Sequence, residues 1–131
     1  MLAMGAGLAP MASSADGQLG IELNKLEQRD ESCIAYLVFD NATGLAFDAL
    51  QLELILFDTD GLILRRLTLD AAPIRRDKLS VKLFEVTAMP CGSLGRILVN
   101  DLVRCTVAEA PRERCLDKIT PSSRMAVELI K

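Results

Sequence analysis

The sequence contains no histidine and no tryptophan. Histidine is the usual general base near neutral pH and the commonest nitrogen ligand for metals, so Ser-His-Asp, Cys-His and His-metal chemistry are excluded. Aromatic residues are scarce, one tyrosine and four phenylalanines, which leaves little material for base-stacking platforms or a sugar-binding strip. Cations are not in excess either. The 15 Lys and Arg residues face 18 Asp and Glu, for a formal net charge of −3, and the two signs are interspersed. No extended basic surface is available to neutralise phosphates, so nucleic acid is not an expected partner. Past the first residues, no run approaches the ~18 uninterrupted apolar residues of a membrane span. The expectation is a mature chain without a stable membrane span.

What is present is ample apolar material. The chain has 131 residues, half of them hydrophobic, enough to close one sizeable core. Residues 1–17 begin with Met1-Leu2-Ala3-Met4 and run to Ala12-Ser13-Ser14-Ala15. They read as the remnant of a secretory signal or a leader, because small residues stand where a signal peptidase reads. Residues 18–131 are then a single domain. Four cysteines, Cys33, Cys91, Cys105 and Cys115, are widely separated singles. A Cys-only zinc site needs thiolates in close pairs, and a redox site normally uses Cys-x-x-C. Structural disulfides are the remaining reading. Three pairings are open, and the locality of Cys105 and Cys115 favours pairing those two, with Cys33 joined to Cys91.

From Gly20 on, apolar runs of strand length recur between clusters of Gly, Pro, Asn and Asp, the spacing of a sandwich or barrel. Strands are expected at Gly20 to Glu27 and at Cys33 to Phe39, the second stopping at the turn sequence Asp40-Asn41-Ala42-Thr43-Gly44. Leu50, Leu52, Leu54 and Leu56 alternate with Gln51, Glu53, Ile55 and Phe57, which puts four leucines on one core-facing side. Asp58-Thr59-Asp60-Gly61 gives a hairpin turn, and Leu62 to Leu69 returns antiparallel with a bulge or edge position near Arg65-Arg66. Leu79, Val81 and Leu83 alternate with Ser80 and Lys82 as a further one-sided strand. In Arg96 to Val107, Ile97, Val99 and Val103 share one face. A short helical turn is expected within Arg112 to Ile119, and Met125, Val127 and Leu129 close the pattern. About seven strands with hairpin-length connections resemble the immunoglobulin or fibronectin III type of antiparallel all-β sandwich.

Candidate functional residues are few. Asp58-x-Asp60-Gly61 is similar to the first half of a calcium loop, but Leu69 stands where that loop needs its glutamate, so a hairpin turn is the better reading. Asn41-Ala42-Thr43 fits a glycosylation sequon and is equally good turn chemistry. No metal or cofactor is expected. Arg65, Arg66, Arg75 and Arg76 would form one basic patch if their segments share a sheet edge, either to receive an acidic partner or to guard the edge with charge. Asn100 and Asp101 interrupt a strand otherwise fit for burial, as a hydrogen-bonded knot or the start of a binding face. These six residues are the candidate binding set, and no catalytic set converges. A carboxylate-dependent enzyme would have to use Asp58, Asp60 or Asp101.

The run Cys33-x-Ala35-Tyr36-Leu37-Val38-Phe39 with Asn41-x-Thr43-Gly44, then Leu56-Phe57-Asp58-Thr59-Asp60-Gly61, Lys82-Leu83-Phe84 and Gly95-Arg96-Ile97-Leu98-Val99-Asn100-Asp101, resembles small exported alphaproteobacterial proteins labelled as twin-arginine (Tat) pathway signal proteins. That resemblance implies a periplasmic or secreted home and carries no chemistry. Together these readings give the expectation of a non-catalytic interaction module that docks on a protein partner in the bacterial envelope, with a periplasmic enzyme or small-ligand carrier as the alternative.

Overall fold

The computed structural model describes residues 17–107 and 115–131. Most of the leader, residues 1–16, and the start of the expected helical turn, 112–114, therefore lie outside the described residues. Eight strands follow in chain order: β1 (Leu19–Arg29), β2 (Ser32–Asn41), β3 (Phe47–Phe57), β4 (Ile63–Asp70), β5 (Leu79–Val86), β6 (Arg96–Val107), β7 (Ile119–Ser123) and β8 (Glu128–Ile130). Single 3-10 turns at Cys91–Ser93 and Cys115–Lys118 precede β6 and β7. The strands form two four-stranded sheets, ordered β5-β2-β1-β7 and β4-β3-β6-β8. The fold is an all-β sandwich.

The four leucines of β3 do what their spacing requires. Leu50, Leu52, Leu54 and Leu56 are each no more than 1% exposed, and they share one core cluster with Leu19, Ile21, Leu23, Leu37 and Phe39 of the first sheet. Burial of each such side chain contributes about 1.5–3 kcal/mol, so this double layer is the main source of stability. The hairpin between β3 and β4 closes as expected. Asp58 Oδ1 accepts the backbone N–H groups of Asp60 at 2.8 Å and Leu62 at 2.9 Å, and Gly61 takes a φ of +88° that favours glycine. Gly95 is needed for a different reason. A Cβ there would lie 2.4 Å from the Asp58 carbonyl oxygen, so any side chain would drive the loop before β6 off the hairpin.

Two expectations about the strands are corrected. The described residues hold eight strands where about seven were expected, and the sheets are mixed rather than purely antiparallel, because β7 pairs parallel with β1 and β8 pairs parallel with β6. The missed strand is Ile119-Thr120-Pro121-Ser122-Ser123. Its Pro and Ser residues carry turn chemistry and no alternation. An edge strand tolerates proline because one row of its backbone groups stays unpaired. The chain then bends at 124–127 and joins the second sheet, so one terminal stretch closes both sheets along the same side.

The second correction concerns which way residues face. β5 is one-sided, but Leu79, Val81 and Leu83 point to solvent at 63%, 55% and 51% exposure. Its register on β2 sets Ser80, Lys82, Phe84 and Val86 opposite the core residues Phe39, Leu37, Ala35 and Cys33. A single-residue slip would reverse every side chain, and burial of Val86 and Phe84 against the cluster holds the observed phase. In β6, register shifts against β3 fall at Asn100 and Val103. These bulges turn Val103 outward at 57% exposure while Ile97, Val99, Cys105 and Val107 stay in the core.

Both disulfides form, Cys33–Cys91 and Cys105–Cys115. The first ties β2 to the turn that leads into the opposite sheet, and the second joins the end of β6 to the turn before β7. No helix among the described residues is long and apolar enough to cross a membrane. Two disulfides persist in oxidising surroundings, which fits an exported or otherwise non-cytoplasmic protein.

Candidate functional site

The structure separates the two arginine pairs. Arg66 lies opposite Ile55 of β3, whereas Ile74, next to Arg75, bridges to Phe47 at the other end of the same strand. That interval along β3 spans roughly 25 Å at the rise of a strand, so Arg65, Arg66, Arg75 and Arg76 do not make one patch. The segments do share one side of the sandwich, but a strand's length keeps the pairs apart.

Within the first pair the two side chains go opposite ways. Arg65 shares the inward phase of Leu56, its partner on β3, and its Nη1 donates to the Thr87 carbonyl at 2.6 Å. It thereby bridges edge strand β4 to the end of edge strand β5. Lys82 does the equivalent on β5: it sits in the phase of buried Leu37, and its Nζ reaches the Pro73 carbonyl at 3.4 Å. Inward-pointing cations on both edges oppose the addition of another strand, so these edges are guarded by charge.

Arg66 points outward and joins Asn100 and Asp101 on the outer face of the second sheet. Glu53 of β3 is the link. Its Oε1 accepts Asn100 Nδ2 at 2.7 Å, and its Oε2 lies 3.8 Å from Arg66 Nη1. Asp101, directly across from Glu53 on β6, accepts the Leu102 N–H at 2.8 Å. Two carboxylates opposite one another repel, and the arginine and the amide offset that repulsion. Asn100 and Asp101 are exposed, carried to the surface by the bulge at Asn100.

Beside this polar chain runs apolar surface. On the same outer face half-buried Phe57 pairs with Ile63, and buried Ile55 pairs with half-buried Leu98, which in turn neighbours Ile130. Ile63 is 66% exposed, and Leu62 at the hairpin tip is 67% exposed. Arg96 and Glu128 rim the patch as an ion pair at 3.3 Å. The combination of apolar anchors and an exposed arginine within a charged rim has the composition of a protein-docking surface. Glu53 was hidden in the sequence among the β3 leucines, as one polar member of an alternating strand. Only the register shows that it faces Asn100 and Arg66.

Arg75 and Arg76 lie in the connection before β5, and the structure explains why that connection holds its place. Asn41, 2% exposed, donates from Nδ2 to the Leu45 carbonyl at 2.8 Å and the Arg75 carbonyl at 2.9 Å. Its Oδ1 accepts the Thr43 N–H at 3.1 Å and the Thr43 hydroxyl at 2.6 Å. Both amide hydrogens are thus committed inside the protein, and the sequon-like triplet serves as turn chemistry.

The outer face of the first sheet carries a second ordered group. Tyr36 donates its hydroxyl to Glu27 Oε1 at 2.5 Å, and Lys25 Nζ lies 5.1 Å from its ring centroid. The Tyr36 hydroxyl, with Arg29 and Lys25 in support, holds the Glu27 carboxyl below the usual range, and the same hydrogen bond raises the Tyr36 phenol. Tyr36 stands next to Leu83, and Val38 next to Val81, across the β2–β5 pairing.

The carboxylates do not converge. Asp58 and Asp60 sit at the hairpin tip, whereas Asp101 lies opposite Glu53, several residues down the sheet. Among the described residues no group of three or more Cys, Asp or Glu side chains could hold a metal ion. An open cleft between 101–105 of β6 and the Cys115–Leu116 turn has no polar constellation beyond Asp101 and Arg104.

No family model matches the sequence, and no curated protein matches it. A solved structure, described as the structural characterization of IrmA from Escherichia coli, is similar in fold. It superposes with a TM-score of 0.59 at 15% sequence identity, covering 79% of this chain and 90% of that one. Identity at that level speaks to the sandwich fold alone.

Proposed function

We propose that this chain is a non-catalytic protein-interaction module of the bacterial periplasm, an accessory or adaptor that docks on a protein partner in an envelope complex. The observation that carries the reading is the outer face of the second sheet, where Glu53 accepts a hydrogen bond from Asn100 and lies at ion-pair distance from exposed Arg66, beside exposed Ile63 and half-buried Phe57. An exposed arginine beside apolar neighbours offers the pairing of anchors that protein interfaces use. Two disulfides suit an oxidising compartment, and the resemblance to exported alphaproteobacterial chains points to the periplasm. The scattered carboxylates weigh against the rival enzyme, since Asp58 spends a carboxylate oxygen on two backbone N–H groups of its own turn.

A photo-crosslinking residue placed at Ile63 in living cells should give a discrete adduct. Arg66→Glu should weaken the adduct by about tenfold, equivalent to ~1.4 kcal/mol. The same probe at Thr120, on the other sheet, should give none. Equal labelling from both faces, or no adduct at Ile63, would contradict the proposal.

A further inference from the structure

We propose that two copies of this chain associate through the outer face of β5 and β2, in a two-fold arrangement that sets the two β5 strands antiparallel. This inference rests on a face distinct from the one assigned to the envelope partner. Leu79, Val81 and Leu83 form a stripe more than half exposed along an edge strand, and Val38 and Tyr36 continue it onto β2. Tyr36 is already held by Glu27 and covered by Lys25, so little side-chain freedom remains to be lost on contact.

The charges at the ends of the stripe identify the occupant. At the start of β5 lie Arg75, Arg76 and Lys78 with Asp77 and Asp40, three cations against two carboxylates. At the other end lie Glu85, Glu27, Asp30 and Glu31 with Arg29 and Lys25, four carboxylates against two cations. A surface whose two ends are opposite in sign around an apolar middle is complementary to itself when rotated by a half turn. Antiparallel placement then sets basic ends on acidic ends, and parallel placement sets like on like. Contact through the face is favoured over pairing through the edge, because edge pairing would bring the inward Lys82 of each copy toward the other.

Sedimentation equilibrium on the oxidised chain tests this directly. The expected result is a dimer in the micromolar range that weakens as salt is raised from about 0.05 to about 0.5 M. Val81→Asp should leave a monomer, and Leu83→Asp, on the same exposed face, should repeat that result. Both variants should keep the near-ultraviolet dichroism of the parent chain. Glu85→Lys should weaken association by about tenfold, and adding Arg75→Glu and Lys78→Glu to it, which turns the basic end acidic without making the acidic end basic, should weaken it further. A monomeric parent chain, a dimer indifferent to both aspartate substitutions, or a Glu85→Lys effect that is absent or that Arg75→Glu and Lys78→Glu relieve would overturn the proposal.

Discussion

Replacing Cys33 and Cys91 together by alanine is expected to lower the free energy of unfolding by about 4 kcal/mol, against about 2.7 kcal/mol for Cys105 and Cys115 together. The difference follows from the loops that the bridges close. Cys33 and Cys91 are 58 positions apart, and Cys105 and Cys115 are 10 apart. A bridge over the longer span removes more freedom from the unfolded chain, and double replacement avoids leaving a lone buried thiol. The Cys33 bridge also has the more consequential position. Its partner turn is anchored by the Cys91 N–H donating to Gln28 Oε1 at 2.8 Å, so it fastens β1 and β2 of one sheet to the chain entering β6 of the other. Urea titration of the two double variants measures both losses, and the slope with denaturant should rise as the freed unfolded chain exposes more surface. Equal losses at the two bridges would mean that native packing rather than loop length sets their worth.

Asn41→Ala should cost about 3 kcal/mol, a large effect for one polar residue in a turn. The substitution leaves the Arg75 carbonyl without its side-chain donor and the Thr43 N–H without its side-chain acceptor, and the Thr43 hydroxyl and Leu45 carbonyl keep only the 3.2 Å bond between them. Each part-buried group so stranded costs about 1–3 kcal/mol. Asn41→Asp should be at least as damaging near neutral pH, because a carboxylate would face the two carbonyls that now receive N–H groups. Thermal unfolding of both variants checks the order. Loss of Asn41 also frees the connection that presents Arg75, so self-association should fall together with stability. An aspartate variant as stable as the parent would contradict this account of the turn.

The sequence made some of this legible and concealed the rest for physical reasons. Strand β3 could be read because a leucine at every second position leaves one phase for the core. The cysteine pairing could be read because a ten-residue separation favours closure. The bounds of β6 were also readable, yet not its facing, since each bulge shifts the alternation by one and sends Val103 outward. β7 was concealed by its proline and serines, which an edge position permits. The apolar phase of β5 is misleading in itself: three aliphatic residues alternate perfectly and all face solvent, and only the register on β2 reveals it. Of the six candidate residues, Arg66, Asn100 and Asp101 come together through Glu53, whose role depends on contacts 13 and 47 positions away along the chain. Arg65 turned out to guard an edge, which charge at that position also predicts.

The proposed periplasmic docking role depends on the two disulfides persisting where the chain resides. Alkylation of the protein from its native compartment without reductant, followed by intact mass, should find no modified cysteine, and reduction beforehand should expose all four. Four thiols alkylated without reductant would place the chain in a reducing compartment, contradicting both the bridges and the periplasmic docking role.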